Sequence, residues 1–213
     1  MRSSRRSSRA RSSASSGNAL DYPLDLRFRL ISLGPQINVL DVGGRSVAYV
    51  KQKAFRLKED VEVHTDESRQ TPLWRIKADR IIGWSAAYRI TDASGALLGT
   101  LRRKGGRSLW RATYVITDPN DQAIGGIHEK DPWTKVLDGL LSLIPIVGDL
   151  TGYFLNPSYL VSRGDESMLE VRKRPALFEG RFSIEQTGTV DPRSEALFIA
   201  SVLMMVLLER GRG

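Results

Sequence analysis

Few side chains in this sequence are equipped for chemistry. Two histidines are present and no cysteine. His64 stands between Glu62 and Asp66, and His128 precedes Glu129 and Asp131. An imidazole beside a carboxylate is the raw material of general acid–base catalysis. The sequence carries no Gly-x-Ser-x-Gly elbow, no phosphate loop and no His-Glu-x-x-His pair, so nothing supplies a nucleophile or a metal to go with those bases. Both histidines therefore read as structural or surface residues. The absence of cysteine excludes disulfide frameworks, thiolate zinc centres and thiol nucleophiles. Asp118, Asn120, Asp121 and Glu129 form an oxygen-rich set, but their spacing misses the calcium loop, and Pro119-Asn120 reads as a turn. The expectation is a non-enzymatic protein with no cofactor and no metal.

The basic residues are better candidates. Arg102, Arg103, Lys104 and Arg107 surround Gly105-Gly106, and Arg111 follows Trp110. Such a cluster at one strand end is suited to an anionic head group, each cation contributing about 1 kcal/mol near an anionic surface. The bland alternative is a charged strand end that discourages edge pairing. Arg172-Lys173-Arg174 is a second cluster of the same kind. Five of the eight net positive charges belong to the acid-free stretch 1–16, which is rich in Arg and Ser. The stretch lacks an apolar core of the secretory type and reads as a disordered tail over 1–20, with organelle targeting as the alternative. Its arginines could contact nucleic acid without sequence preference, but the remaining chain shows no reading module.

The elements that must position these residues are written in a repeat. Asp41, Asp92 and Asp118 each open a unit. An aliphatic residue follows at the sixth position (Val47, Leu98, Ile124) and a small one at the seventh (Ala48, Gly99, Gly125). A second aliphatic stands at the ninth (Val50, Leu101, Ile127), and Lys closes the unit at the twelfth (Lys53, Lys104, Lys130). Tyr88 and Tyr114 precede their Asp by four, and Tyr159–Lys173 is a looser fourth copy. Turn residues between alternating stretches make each unit a β-hairpin. Leu24, Leu26, Phe28 and Leu30 alternate with charged residues, as does Phe55–Val63, and Trp74–Ala78 alternates again. Many short strands with regular turns predict an antiparallel sandwich or barrel.

One segment breaks that pattern. Ala196–Leu208 contains a single polar residue, Ser201, behind the capping candidates Asp191, Pro192 and Ser194. A helix over 193–209 with no polar face must be buried on every side. Leu197, Phe198, Val202 and Met205 are its expected core contacts. Thirteen residues span only about 20 Å, short of a ~30 Å hydrocarbon core. In a β chain, such a helix points to a rod threaded through or clasped by a closed barrel. The stretch 131–157 is apolar and punctuated by Gly and Pro, and reads as an insertion into a single domain over 21–213.

Thr91–Lys104, Trp110–Lys130 and Asp191–Leu208 together resemble the LURP-one-related family of the tubby C-terminal-like superfamily, which also includes the phospholipid scramblases. The resemblance implies a mainly β fold: a closed antiparallel barrel of about twelve strands around a central hydrophobic C-terminal helix. It implies little about activity; the expectation set beside it is a non-enzymatic barrel that binds anionic phospholipid head groups, in the cytoplasm and peripheral to a membrane. An interaction scaffold and a scramblase-like activity are the alternatives. The insertion at 131–157 and the Arg/Ser tail depart from the family pattern.

Overall fold

The alternation of apolar and charged residues becomes twelve strands in a computed structural model, which describes residues 20–31, 34–51, 60–82, 85–104, 113–130, 158–175 and 180–210. In chain order they are β1 (Leu24–Ile31), β2 (Gly34–Leu40), β3 (Ser46–Lys51), β4 (Asp60–His64), β5 (Pro72–Ile82), β6 (Ser85–Asp92), β7 (Leu97–Arg103), β8 (Thr113–Thr117), β9 (Ala123–Glu129), β10 (Ser158–Arg163), β11 (Glu166–Arg174) and β12 (Gly180–Gln186). Each pairs antiparallel with its neighbours in sequence, and β1 pairs with β12, Leu24 opposite Ile184, to close the barrel. Closure leaves no edge strand to be protected.

The repeat is one turn built three times. Each Asp donates its N–H to the carbonyl four residues on: Arg45 at 2.9 Å, Ala96 at 3.0 Å and Gln122 at 2.9 Å. Each carboxylate accepts a main-chain amide four residues on, from Arg45 at 2.8 Å, Ala96 at 3.0 Å and Gln122 at 2.9 Å. The third residue after each Asp is left-handed: Gly44, Gly95 and Asp121, with φ of 79°, 86° and 66°. Glycine takes that conformation without strain, and Asp tolerates it. A bulge precedes or coincides with each Asp turn, between Val39 and Leu40, Ile90 and Thr91, and Ile116 and Thr117. The small seventh residue has its reason inside. A Cβ on Gly99 would stand 2.1 Å from the Thr117 carbonyl oxygen and 2.7 Å from Leu197 Cδ2, and one on Gly125 would press Phe198. The wall is thinned where the central helix passes.

That helix, α1 (Pro192–Arg210), follows the last strand. Asp191 caps it, its carboxylate accepting the Ser194 N–H at 3.0 Å, and Pro192 at the first helical position gives up no hydrogen bond. From Leu197 to Leu208 every residue is buried, Leu197, Phe198, Val202 and Met205 among them. The inward residues of the strands (Leu26, Ile37, Val50, Val61, Ile90, Ile116, Val161 and Ile184) supply the rest of the core. At its far end Tyr114 donates to Glu209 Oε1 at 2.8 Å. Among the described residues no helix is long and apolar enough to cross a membrane. The expected tail, save Leu20, and the insertion at 131–157 lie outside the described residues, as does the 55–59 part of the alternating stretch before β4.

Candidate functional site: a row of arginines on the outer wall

Among the described residues, the cations singled out by sequence do not share one face. Arg102 and Arg103 are consecutive on β7, and successive side chains on a strand point to opposite faces. Arg102 faces out and is paired with Asp121 at 2.6 Å. Arg103 stands opposite the fully buried Tyr114 and turns inward. There it works against the rise in the pKa of the Tyr88 and Tyr114 phenols, which burial drives; for Tyr114, Glu209 adds to the rise. Lys104 is exposed at the strand end, and its N–H donates to the Thr113 carbonyl at 2.9 Å. Arg107 and Arg111 lie outside the described residues.

The oxygen-rich set is the third turn itself. Asp118 spends its carboxylate on the amides of Asn120 and Gln122, both at 2.9 Å, and Asp121 is engaged by Arg102. Among the described residues no group of three His, Asp or Glu could hold a metal ion. His64 is on β4 and His128 on β9, strands that are not neighbours. The Nδ1 of His64 is buried, with no hydrogen-bond partner among the described residues.

The register brings a different set together. Arg174 on β11 stands opposite Arg181 on β12, and Arg181 opposite Arg27 on β1. Directly opposed residues on adjacent strands lie about 5 Å apart and share a face, and like charges so placed are destabilising. Three outward guanidinium groups in adjacent positions therefore oppose the stability of the wall that carries them. A single carboxylate relieves two of them. Asp25 accepts from Arg181 Nε and Nη2 at 2.8 and 2.7 Å and from Arg27 Nε at 2.9 Å. Those bonds, Arg181's first, hold the Asp25 carboxyl below its ordinary pKa against its own partial burial. Arg174 donates to Ser183 Oγ at 3.2 Å and lies 3.6 Å from Glu185.

These arginines line an open depression of about 550 Å3, bounded by Pro23, Val42 and Pro175. Each remains about half accessible, at 40% for Arg27, 49% for Arg181 and 52% for Arg174. A planar guanidinium fork suits bidentate binding of phosphate or carboxylate. The neighbouring acid Glu170 belongs to a separate arrangement. Arg172 at 2.8 Å and Lys130 at 3.1 Å hold it, and Arg172's hydrogen bond leads in pulling its pKa down to about 2.

Sequence reading singled out one of the three arginines, Arg174 in the second basic cluster; Arg27 figured only as a charged residue of the first alternating strand. Arg181 had no signal of its own. The signal that would have found it is the pairing of the first strand with the last.

A closed antiparallel barrel threaded by its own apolar helix, with charged rows on the outer wall, is the class these features define. A model of the LURP-one-related family matches residues 46–206, from β3 into the last turns of α1, and the chain belongs to that family. Among solved structures the chain is similar to an X-ray structure of a protein from Arabidopsis thaliana, with 17% identity and a TM-score of 0.49, over 90% of this chain and 93% of that one. No curated protein matches the chain.

Proposed function

We propose that this LURP-one-related barrel is a non-enzymatic module that docks on anionic phospholipid head groups at a membrane surface. The docking surface is the outer depression on β11, β12 and β1 rather than the end of β7. The observation that supports this reading is the row Arg174–Arg181–Arg27. Three like charges on adjacent strands cost stability, and they stand against two carboxylates, Asp25 shared by Arg181 and Arg27 and Glu185 at 3.6 Å from Arg174. A protein surface keeps such an arrangement when an anion is there to complete it. The inner face offers no competing site between Leu197 and Leu208, because the helix occupies it.

Co-sedimentation with vesicles tests the reading. The full chain should sediment with phosphatidylglycerol vesicles and stay in the supernatant with phosphatidylcholine vesicles, with affinity falling as salt rises. The double variant Arg174→Ala, Arg181→Ala should weaken binding roughly 25-fold, at about 1 kcal/mol for each arginine, while its thermal transition stays within a few degrees of wild type. Undiminished binding by that variant would sink the groove as the docking surface.

A further inference from the structure

The arginine row does not stop at Arg27. Across β2, β3 and β4 the same register continues through Asn38, Tyr49 and His64. One step along the strands, Arg29 stands opposite Gln36. The outer wall thus changes character at Arg27, from three cations on one side to amide, phenol and imidazole on the other. The loop between β4 and β5 folds back over this second half. The Thr65 carbonyl accepts from Ser46 Oγ at 3.0 Å, and Glu67 accepts from Asn38 Nδ2 at 3.4 Å.

Between loop and wall lies a pocket of about 140 Å3, lined by Arg27, Arg29, Gln36, Asn38, Tyr49 and Glu67. Every lining residue is polar. Sites for drug-sized ligands run to roughly 300–1,000 Å3 and are mostly apolar, so this pocket fits a small, fully polar group. Arg27 borders both this pocket and the arginine depression. A ligand with its anion at Arg27 would extend its next atoms toward Tyr49 and Glu67. Glu67 is exposed and its contact with Asn38 is long, so the carboxylate retains acceptor capacity for a cation. Tyr49 is buried, and burial first, then Glu67, raises its phenol pKa, so it stays a neutral hydroxyl beside that carboxylate. Anion site, neutral hydrogen-bonding wall and carboxylate all border the one pocket, with Arg29 as a second cation on its rim.

We infer that this pocket reads the primary ammonium of a phosphodiester head group whose phosphate sits on Arg27, with Glu67 as the ammonium's partner. The inference rests on the docking surface proposed above. It adds that anionic head groups are told apart by the amine they carry. Net charge alone would make serine and glycerol head groups equivalent, since each lipid carries one negative charge. Choline has a cation without an N–H to donate, so Tyr49, Gln36 and Glu67 could not hydrogen-bond it.

The test compares vesicles of phosphatidylserine and of phosphatidylglycerol, each at the same mole fraction in phosphatidylcholine. Wild type should bind the serine vesicles roughly fivefold more tightly, the value of one partly exposed ion pair. Glu67→Gln should erase that preference and leave glycerol binding unchanged. Tyr49→Phe keeps the packing, should reduce the preference, and guards against a folding artefact in the first variant. Equal binding of both vesicles by wild type, or a preference that survives Glu67→Gln, overturns the pocket assignment while leaving the arginine row standing. If neither vesicle binds, the docking surface falls. The pocket is then decided by titrating soluble glycerophosphoethanolamine: saturable binding lost in Glu67→Gln keeps it, and no binding overturns it. Where vesicles do bind, displacement by glycerophosphoserine at matched head-group concentration assigns the pocket to a soluble phosphodiester, and failure to displace assigns it to the lipid.

Discussion

The inner and outer faces of the same twelve strands obey different rules. Inside, residue after residue is aliphatic and fully buried, and the one intruding element, α1, is apolar on all sides from Leu197 to Leu208 apart from Ser201. Outside, charge dominates, in a row that crosses strands at Arg174–Arg181–Arg27 and in a cluster at Lys130, Glu170 and Arg172. Because side chains alternate along each strand, neighbouring residues serve different faces. Arg102 and Arg103 make the point: one reaches Asp121 on the surface, the other faces phenols in the interior. A run of like residues in sequence is thus divided between faces, and a charged row is assembled from residues far apart in the chain. The inner face carries the core and the outer face carries the charge.

That division can be attacked from the inside first, where the effects should be largest. Leu203 is fully buried in α1. Leu203→Asp would place an unpaired carboxylate in the core, a penalty of several kcal/mol that rivals the total stability of a domain. The expected outcome is loss of the cooperative thermal transition in circular dichroism. A variant that melts normally would show that the helix is not the core of the barrel. Next comes the wall. Gly99→Ala must push a methyl against the Thr117 carbonyl oxygen and Leu197. Overpacking of this kind costs typically about 1–3 kcal/mol and sometimes more, read as a lowered urea midpoint with unchanged slope. A midpoint equal to wild type would mean that the thinned wall is not shaped by the helix.

The outer face should yield the smallest effect, and one that depends on pH. Glu170 has its pKa drawn from an ordinary 4.5 down to about 2 by Arg172 and Lys130. A carboxylate whose pKa is depressed by folding contributes stability above its unfolded pKa and loses it as the pH falls. Glu170→Gln should therefore cost stability at pH 6, and the deficit should shrink between pH 4.5 and 2 until the two proteins melt alike. A deficit that is flat across that range would show that packing, and not charge, makes the contribution.

The fold was legible in the sequence because both of its signals are local. The Asp turns need only five consecutive residues, and a helix with no polar face declares its own burial. The boundaries follow from the same local chemistry: the expected 193–209 became Pro192–Arg210 once Asp191 was seen to cap the helix. The arginine row was not legible, since it depends on register. Arg27 and Arg181 are 154 positions apart, and which residue of β12 stands opposite Arg27 is fixed by the closure of the barrel. The cluster at Arg102–Lys104 was visible because it is contiguous, and contiguity on a strand is what separates two side chains.

The order of the chain has a consequence for how the protein is made. All twelve strands precede α1, so a ribosome delivers the whole wall before the plug that the wall must enclose. Until the helix emerges, the inward faces lack the helix that covers them, and the seam between β1 and β12 would close without it. The longest-range pairing and the burial of the core are thus deferred to the same late moment, after synthesis of the domain is essentially complete. Long-range pairing is slow, and exposed apolar strand surface aggregates while it waits. A nascent chain stalled before Pro192 should accordingly hold chaperones that the finished, released chain has shed.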